Sequence, residues 1–177
     1  MIIRQASTHD VATIKGIHDL QSVSRNQAGW KERKTGFFEY PKTENDFERC
    51  LNPYFIVAEI SGDVKGFALS YDDEFLKSWN FDRPEMRVFE KREKFLYIDQ
   101  LGVANYMSLG SGKIANYLCD TVVEMARMHG LQRVFGCICE KPFADERSIS
   151  FAERKGMRRV SELTIGDVLL GVYELAI

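Results

Sequence analysis

The sequence lacks the long apolar segments that membrane and secreted proteins carry. No run of apolar residues approaches the ~20 residues that a helix needs to cross a bilayer. The first ten residues include Arg4, His9 and Asp10, so they contain no apolar core of a signal peptide. We therefore expect a cytoplasmic protein with no membrane partner.

The chain also lacks the basic excess of a dedicated nucleic-acid binder. It has 24 Lys and Arg residues against 26 Asp and Glu residues, which gives a net charge of -2 and a pI near 6.0. Hydrophobic residues make up 45% of the chain and charged residues 28%, as is typical of a globular protein. The charge balance therefore predicts no nucleic-acid partner. The length of 177 residues predicts a single domain over residues 1–177.

Cysteine is sparse and wrongly spaced for a metal site. The chain has four cysteines, Cys50, Cys119, Cys137 and Cys139. One residue separates Cys137 from Cys139, whereas zinc and redox motifs have two, and no second pair or nearby His completes a site. Without a secretory signal, free thiols in a reducing compartment are expected. The sequence therefore predicts no bound metal.

Hydrophobic spacing predicts an alternation of strands and helices. The predicted elements are a strand at residues 2–3, a helix beginning near Asp10, a helix at 43–51, strands at 54–60, 64–71 and 95–103, a helix at 110–129, a strand at 133–139, a short helix capped by Asp145 and ending before Gly156, and strands at 160–165 and 168–175. This order, β-α-α-β-β-β-α-β-α-β-β, predicts an α/β or α+β fold with a mixed sheet. Residues 72–94 form a long charged connection, typical of a functional or partly helical segment.

Residues 101–113 form the segment with the clearest chemistry, since a strand leads into a loop and the loop into a helix. Gly110 and Gly112 allow the backbone to approach a ligand closely. The first turn of a helix leaves amides without partners at the positive end of its dipole, and Lys113 adds a charge there. This combination binds phosphate or pyrophosphate groups; the alternative is a plain glycine-rich turn.

Two familiar phosphate-binding motifs do not fit this segment. A Walker A loop requires Ser or Thr after its Lys, but Ile114 follows Lys113. The dinucleotide fingerprint matches at Gly110 and Gly112, but it needs a tight turn directly after the strand, and the strand ends well before, at Val103. Both motifs are therefore excluded.

A third motif does fit. The strand, loop and helix resemble the signature of the GNAT superfamily of N-acetyltransferases, whose loop reads Arg/Gln-x-x-Gly-x-Gly/Ala. Gly110 and Gly112 fill its two small positions, while Met107 stands where Arg or Gln is usual. The resemblance is specific over residues 95–157, and the hairpin at residues 54–71 also falls where the family has one.

A second segment resembles the family independently. Residues 145–157 are similar to its late helix, commonly Asn-x-x-Ala-x-x-x-Tyr-x-x-x-Gly-Phe. Asp145 replaces the Asn, Ser148 the Ala and Ala152 the Tyr. Two motifs in the family's order and spacing imply a single-domain GNAT-like fold, in which the strands before and after the central helix splay apart.

The resemblance also implies acetyl-CoA as the co-substrate. The pantetheine arm would pair with the strand edge at Leu101, Gly102 and Val103, where a backbone amide could polarise the thioester carbonyl. The pyrophosphate would lie on backbone amides of Ser108, Leu109, Gly110, Ser111, Gly112 and Lys113. Asp145 is assigned to the cofactor site, and Arg154 either meets the 3′-phosphate or is solvated.

Direct transfer to an amine needs a base for its proton and an acid for the leaving thiolate. Asp99 is the first candidate base, on the strand face predicted to be shared with Leu101 and Val103. Desolvation there would raise its pKa; the alternative is a structural ion pair with Lys or Arg. Glu140 is the second candidate base.

The family's usual acid is absent, because Ala152 stands at the Tyr position. Ser148 on the same helix, or Tyr106 in the loop, is the candidate acid. The missing Tyr keeps open a second function, a non-catalytic CoA-binding or regulatory module on the same fold.

The acceptor is predicted to be a primary amine of a small molecule, an amino acid or a peptide terminus. Residues 22–51 and 72–94 would build its site, and the acidic residues 72–74 could attract a cationic amine. Aromatic side chains that line it, or else belong to the core, are Trp30, Phe37, Tyr40, Trp79 and Phe81. The oligomeric state is left open, although dimers are common in similar folds.

Overall fold

A computed structural model describes residues 1–22, 42–78, 88–89, 92–104, 110–142 and 144–177. Its elements, in chain order, are β1 (Ile2–Gln5), a 3-10 turn (Thr8–Asp10), α1 (Val11–Gln21), α2 (Glu44–Arg49), β2 (Ile56–Ile60), β3 (Asp63–Asp72), α3 (Asp73–Ser78), β4 (Phe95–Val103), α4 (Ser111–Met128), β5 (Arg133–Lys141), α5 (Glu146–Arg154), β6 (Arg158–Ile165) and β7 (Val168–Ala176). Within these ranges, no helix is both long and apolar enough to cross a membrane.

The strands form one mixed sheet in the order β1-β2-β3-β4-β5-β7-β6. Neighbouring strands are antiparallel except β4 and β5, which run parallel because α4 carries the chain back between them. This architecture confirms the predicted α/β class with a mixed sheet. The predicted element order missed α3, which begins where the Asp72 carboxylate accepts a hydrogen bond from the amide of Phe75 at 2.7 Å.

Local signals place the ends of several helices where the sequence predicted them. Ser7 and Asp10 form a capping box before α1, and Asp145 caps α5 by accepting a backbone hydrogen bond. Gly130 and Gly156 follow α4 and α5 with φ angles of 72° and 81°. Glycine adopts this left-handed conformation without steric strain, so the chain turns there.

Two apolar clusters hold helices against opposite faces of the sheet. One packs α1 and α2 around aromatic residues that include the fully buried Phe47 and Phe67. The other lies under α4, where Leu118, Val122 and Ala126 are buried at successive turns of the helix. We call these two sides of the sheet the α1 face and the α4 face.

β4 and β5 pair only over their first halves. Their register runs from Phe95 opposite Arg133 to Ile98 opposite Gly136, where it ends. β3 continues beside β4 as far as Val103, and β7 continues beside β5 to the end of that strand. The two parallel strands therefore separate in the middle of the sheet, as the resemblance implied.

A β-bulge at Asp99 determines which side chains of β4 share a face. The residues on either side of Asp99 lie opposite consecutive residues of β3, so Asp99 is an extra residue in the register. Strict alternation predicted that Asp99 shares a face with Leu101 and Val103, and this prediction is wrong. The bulge resets the alternation, so that Leu101 packs on the α4 face whereas Asp99 contacts Tyr71 on the α1 face.

Candidate active site

The separation of β4 from β5 opens a cavity of about 290 Å³. The second halves of both strands, the first turns of α4, and α5 supply most of its wall. Its lining residues are Gln21, Ile98, Asp99, Gln100, Leu101, Val103, Ser111, Gly112, Ala115, Cys119, Gly136, Cys137, Ile138, Cys139, Asp145, Arg147, Ser148, Phe151, Ala152, Arg154 and Met157. The cavity therefore brings together Asp99 and Ser148, the predicted catalytic residues, with part of the predicted cofactor site.

The amino terminus of α4 opens into this cavity. Gly110 precedes the helix with a φ angle of 105°, a left-handed conformation that favours glycine. Ser111 is buried, and its hydroxyl oxygen accepts a hydrogen bond from the guanidinium of Arg147 at 3.3 Å. Arg154, from the last turn of α5, lines the same cavity. A helix amino terminus beside two guanidinium groups favours an anionic ligand.

Gly112 leaves space at this helix terminus that the described residues do not fill. A Cβ atom added there would meet no atom within 4 Å. Glycine is less favourable than alanine in a helix by up to ~1 kcal/mol, and neither a positive φ nor a packing contact requires it at this position. The residues present therefore fit a pyrophosphate that approaches the backbone closely. Gly110 and Lys113 flank Gly112 without lining the cavity.

β4 turns one backbone edge towards the cavity at Leu101 and Val103. Backbone groups alternate between the two edges of a strand. The amide of Ala104 donates to the carbonyl oxygen of Lys65 on β3 at 2.8 Å, so the groups of Leu101 and Val103 point the opposite way. In agreement, Gln21 of α1 donates from Nε2 to the carbonyl oxygen of Val103 at 3.1 Å.

Gly102 lies between these two residues and faces β3 instead. It is paired with Phe67, and a Cβ atom on Gly102 would collide with the Phe67 ring. Glycine is needed here because the aromatic ring occupies the side-chain position, and this residue does not line the cavity.

The Asp99 carboxylate lies at the centre of a buried polar cluster on the α1 face. Its side chain is 7% exposed, and its Oδ2 atom lies 3.2 Å from the ammonium nitrogen of Lys42. The hydroxyl of Tyr71 lies 3.3 Å from the same oxygen and 3.2 Å from Sγ of Cys50. The structural ion pair with Lys or Arg, which was the alternative to a catalytic base, is therefore present as Lys42–Asp99. Asp99 nevertheless lines the cavity.

Ser148 and Asp145 are joined by two hydrogen bonds at the start of α5. The Ser148 hydroxyl donates to Oδ2 of Asp145 at 2.7 Å, and its amide donates to Oδ1 at 3.0 Å. Asp145 is 4% exposed, so this capping interaction is buried. Ala152, at the usual Tyr position, lines the cavity one turn later, where its methyl group offers no proton.

Two predicted acidic features lie away from the cavity wall. Glu140 accepts two hydrogen bonds from Arg159, at 2.8 and 2.9 Å, and one from Tyr173 at 3.1 Å. The Arg159 guanidinium lowers the pKa of Glu140, which suits a structural ion pair. In the acidic group of residues 72–74, Asp72 caps α3 and Asp73 pairs with Lys77. Neither of these two residues lines the cavity.

Several predicted site residues lie outside the described residues. They are Ser108 and Leu109 of the pyrophosphate loop, the candidate acid Tyr106, Met107, and the aromatic residues Trp30, Phe37, Tyr40, Trp79 and Phe81. Among the described ranges, no group of three or more His, Cys, Asp or Glu residues is arranged to hold a metal ion.

The cavity also contains residues that the sequence did not indicate. Gln100 is buried beside Asp99, and a polar residue next to Asp99 in an apolar strand was a signal that could have drawn attention to it. Gln21 and Arg147 had no such signal, because their contacts depend on the tertiary fold. Burial raises the pKa of the Cys119 thiol to about 11, so this side chain lines the cavity as a neutral group.

No protein-family model and no curated protein matches the sequence of this chain.

The structure, by contrast, is similar to acetyltransferases over nearly its full length. Ribosomal-protein-alanine N-acetyltransferase from Brucella melitensis matches with a TM-score of 0.67 at 18% identity, and all of both chains is covered. The yncA protein from Salmonella typhimurium, solved with its cofactor acetyl-CoA, matches at 0.65 and 17% identity over 99% of this chain and 93% of that one.

A protein from Desulfovibrio desulfuricans described as a GNAT-family acetyltransferase matches with a TM-score of 0.66 at 17% identity. The match covers 99% of this chain and 98% of that one. At these identities the similarity concerns the fold, and it confirms the GNAT-like fold that the two motifs implied.

Proposed function

We propose that this protein is an acetyl-CoA-dependent N-acetyltransferase that transfers an acetyl group directly to a primary amine. One observation carries the proposal: the cavity between the separated strands β4 and β5 connects the amino terminus of α4 with the buried carboxylate of Asp99. Such a cavity can hold a thioester cofactor on one side and an amine on the other. The fold shared with acetyltransferases supports the same function.

The cofactor would be held by backbone amides and arginine side chains. The helix terminus at Ser111 and Gly112 suits the pyrophosphate, because a Cβ atom at Gly112 would occupy open space. Arg147 and Arg154 line the cavity nearby and would add positive charge. The edge of β4 at Leu101 would pair with the pantetheine amides.

Bound acetyl-CoA would supply a thioester as the acetyl donor. The Leu101 and Val103 amides point towards the cavity, so one of them could donate to the thioester carbonyl oxygen as negative charge develops on it. Asp99 would accept the proton of the attacking amine, with Lys42 and Tyr71 holding its carboxylate in place.

The proton for the leaving thiolate has two candidate sources, as it had in the sequence. The Ser148 hydroxyl lines the cavity, but it donates to Asp145, so it would have to exchange this partner before protonating a thiolate. Tyr106 is the second candidate and lies outside the described residues. A small molecule, an amino acid and a peptide terminus all stay open as acceptors.

The name of one structural neighbour, a ribosomal-protein-alanine N-acetyltransferase, makes a protein amino terminus a natural first acceptor to test. The cytoplasmic location, and an amine as the partner without nucleic acid, metal or membrane, stay predictions from the sequence.

A second function is favoured by one observation, the methyl group of Ala152 in the cavity wall where the family has its acid. A non-catalytic CoA-binding or regulatory module would keep the cofactor contacts and lack turnover. Fold alone does not choose between these functions.

The deciding experiment pairs CoA binding with thiol release. Calorimetric titration with CoA is run beside a thiol-release assay with acetyl-CoA and a panel of amines, amino acids and short peptides. Binding and release together support the transferase, and binding without release across the panel supports the regulatory module. Failure to bind acetyl-CoA or CoA would exclude both.

A further inference from the structure

One buried acceptor atom in the cavity wall has no hydrogen-bond partner in the part of the chain that the structure describes. Gln100 is 5% exposed, and its side-chain oxygen Oε1 makes no hydrogen bond to any of the described residues. Folded proteins pair nearly all buried polar atoms, because an unpaired one costs free energy. Since Gln100 lines the cavity, the partner that this oxygen lacks can come from a bound ligand.

The bulge in β4 sets the position of this oxygen. Gln100 lies opposite Leu69, whose side chain belongs to the α1-face cluster, so Gln100 also lies on the α1 face. Gly112 and the amino terminus of α4 lie on the α4 face. The Gln100 side chain therefore lines the cavity from the face opposite to the predicted cofactor contacts.

The neighbouring charges specify what kind of group this oxygen can take. Asp99 precedes Gln100 directly, and its carboxylate has the Lys42 ammonium at 3.2 Å. Gln100 adds a neutral carbonyl-type acceptor beside this balanced pair. An acceptor oxygen requires an N–H or O–H donor, and a group without one would leave it unpaired.

We propose that Oε1 of Gln100 accepts a hydrogen bond from the nitrogen of the acetyl acceptor, and thereby selects a primary amine over an alcohol. The inference rests on the proposed function. Transfer forms the N–C bond, breaks the C–S bond, moves one N–H proton to the base and gives a proton to the released thiolate. A primary amine keeps a second N–H for Gln100, whereas an alcohol has a single proton, which transfer consumes.

The test compares Gln100→Leu with two other variants. Leucine keeps a similar volume and removes the acceptor atom. Gln100→Glu keeps acceptor oxygens at the same place. Gln132→Leu is the matched control, because Gln132 is an exposed glutamine before the first, paired half of β5.

The probes are glycinamide and n-butylamine, with glycolamide and n-butanol as the matching alcohols, at saturating acetyl-CoA. Loss of one hydrogen bond should raise the amine KM of Gln100→Leu by about tenfold or more, while the KM for acetyl-CoA stays unchanged. Gln132→Leu should keep an amine KM close to that of the wild type. Gln100→Glu restores acceptor oxygens but adds a buried carboxylate beside Asp99, so its amine KM should lie below that of Gln100→Leu without matching the wild type. The melting temperature of Gln100→Leu should be unchanged or higher, since the buried unpaired oxygen is gone.

A wild-type amine KM in Gln100→Leu would overturn the proposal, because it would show that this oxygen does not contact the acceptor. A lowered melting temperature together with a raised KM for acetyl-CoA would also overturn it, because that pattern indicates a packing role. CoA titration of the wild type tests the proposed function separately. If CoA does not bind, the two amines are titrated into CoA-free wild type and Gln100→Leu, and equal affinities reject the contact.

Discussion

The ammonium nitrogen of Lys42 lies 3.2 Å from Oδ2 of Asp99, and the two side chains are only 5% and 7% exposed. Lys42 directly precedes the capping residue of α2, and Asp99 is the extra residue of the β4 bulge. Desolvation offsets much of the attraction within a buried ion pair, whereas removal of one partner leaves an uncompensated buried charge. The stability of the α1 face therefore depends on Lys42 and on the ionised carboxylate of Asp99, which lines the cavity.

The first prediction concerns the stability of this pair. Lys42→Met should lower the free energy of unfolding by about 3 kcal/mol, because the Asp99 carboxylate loses its buried cation. In Lys42→Met/Asp99→Asn the loss should be much smaller than the sum of the two single losses. Urea unfolding of all four proteins measures the coupling.

The control for this cycle is Lys77→Met, which removes an exposed ion pair with Asp73 on α3. Lys77 is 56% exposed, so solvent screens this pair and little change in stability is expected. Equal losses for Lys42→Met and Lys77→Met would contradict the assignment of a buried, coupled pair.

The second prediction concerns the base. Under the proposed function, Asp99→Asn should lower kcat/KM for the amine by about 10²- to 10⁴-fold, the usual contribution of general acid–base catalysis. The acidic limb of the pH–rate profile should disappear with it, while CoA affinity is retained. Glu140→Gln is the control, because that carboxylate is held by Arg159 away from the cavity wall. An unchanged pH–rate profile in Asp99→Asn would remove Asp99 from the mechanism.

Local signals in the sequence predicted the ends of α4 and α5, the two helices that border the cavity. Gly110 before α4, the Asp145 cap and Gly156 after α5 depend on backbone conformations and short-range hydrogen bonds. Such features are encoded within a few residues, so their spacing can be read without knowledge of the tertiary fold. The parallel β4–α4–β5 unit follows from the same order of elements.

The part of the cavity wall around Asp99 could not be predicted in the same way. The bulge at Asp99 arises from pairing with β3, and alternation along β4 alone placed this side chain on the wrong face. Lys42 and Tyr71 reach Asp99 from distant parts of the chain, and no local pattern joins these residues. The unpaired oxygen of Gln100 likewise becomes visible only after burial and partners are known.

The third prediction concerns the pH dependence of stability at the start of α1. Hydrogen bonds from the Arg4 guanidinium lower the pKa of Asp10 from 3.8 to about 2. A depressed pKa contributes stability above the unfolded-state value, and this contribution is lost as the pH falls through about 2. Asp10→Asn should therefore lower stability at pH 7 by about 1 to 2 kcal/mol, a range that allows for solvent screening of the partly exposed Arg4.

Urea midpoints at pH 7, 4 and 2.5 measure this contribution. The difference between wild type and Asp10→Asn should shrink between pH 4 and pH 2.5. Asp63→Asn serves as the control, because its ion pair with Lys65 is exposed and should give little change at any of these pH values. A difference that stays constant with pH would show that Asp10 stabilises α1 through its shape or its capping contacts.

The last prediction separates the effect of Gly112 on the stability of the protein from its effect on CoA binding. Neither its φ angle nor an atom of the described residues requires glycine, so Gly112→Ala should leave the free protein as stable as before, or stabilise it by up to ~1 kcal/mol. Under the proposed function the same methyl group would occupy the space of the pyrophosphate, and CoA affinity should fall by about tenfold or more.

The matched variant is Gly16→Ala, on an exposed position of α1 where an added Cβ also meets no atom within 4 Å. It should give a similar gain in stability with no change in CoA affinity. Thermal unfolding and calorimetric titration with CoA measure both quantities in each variant. If Gly112→Ala binds CoA as tightly as the wild type, the pyrophosphate does not lie on the first turn of α4, because no ligand in contact with that backbone would tolerate the methyl group.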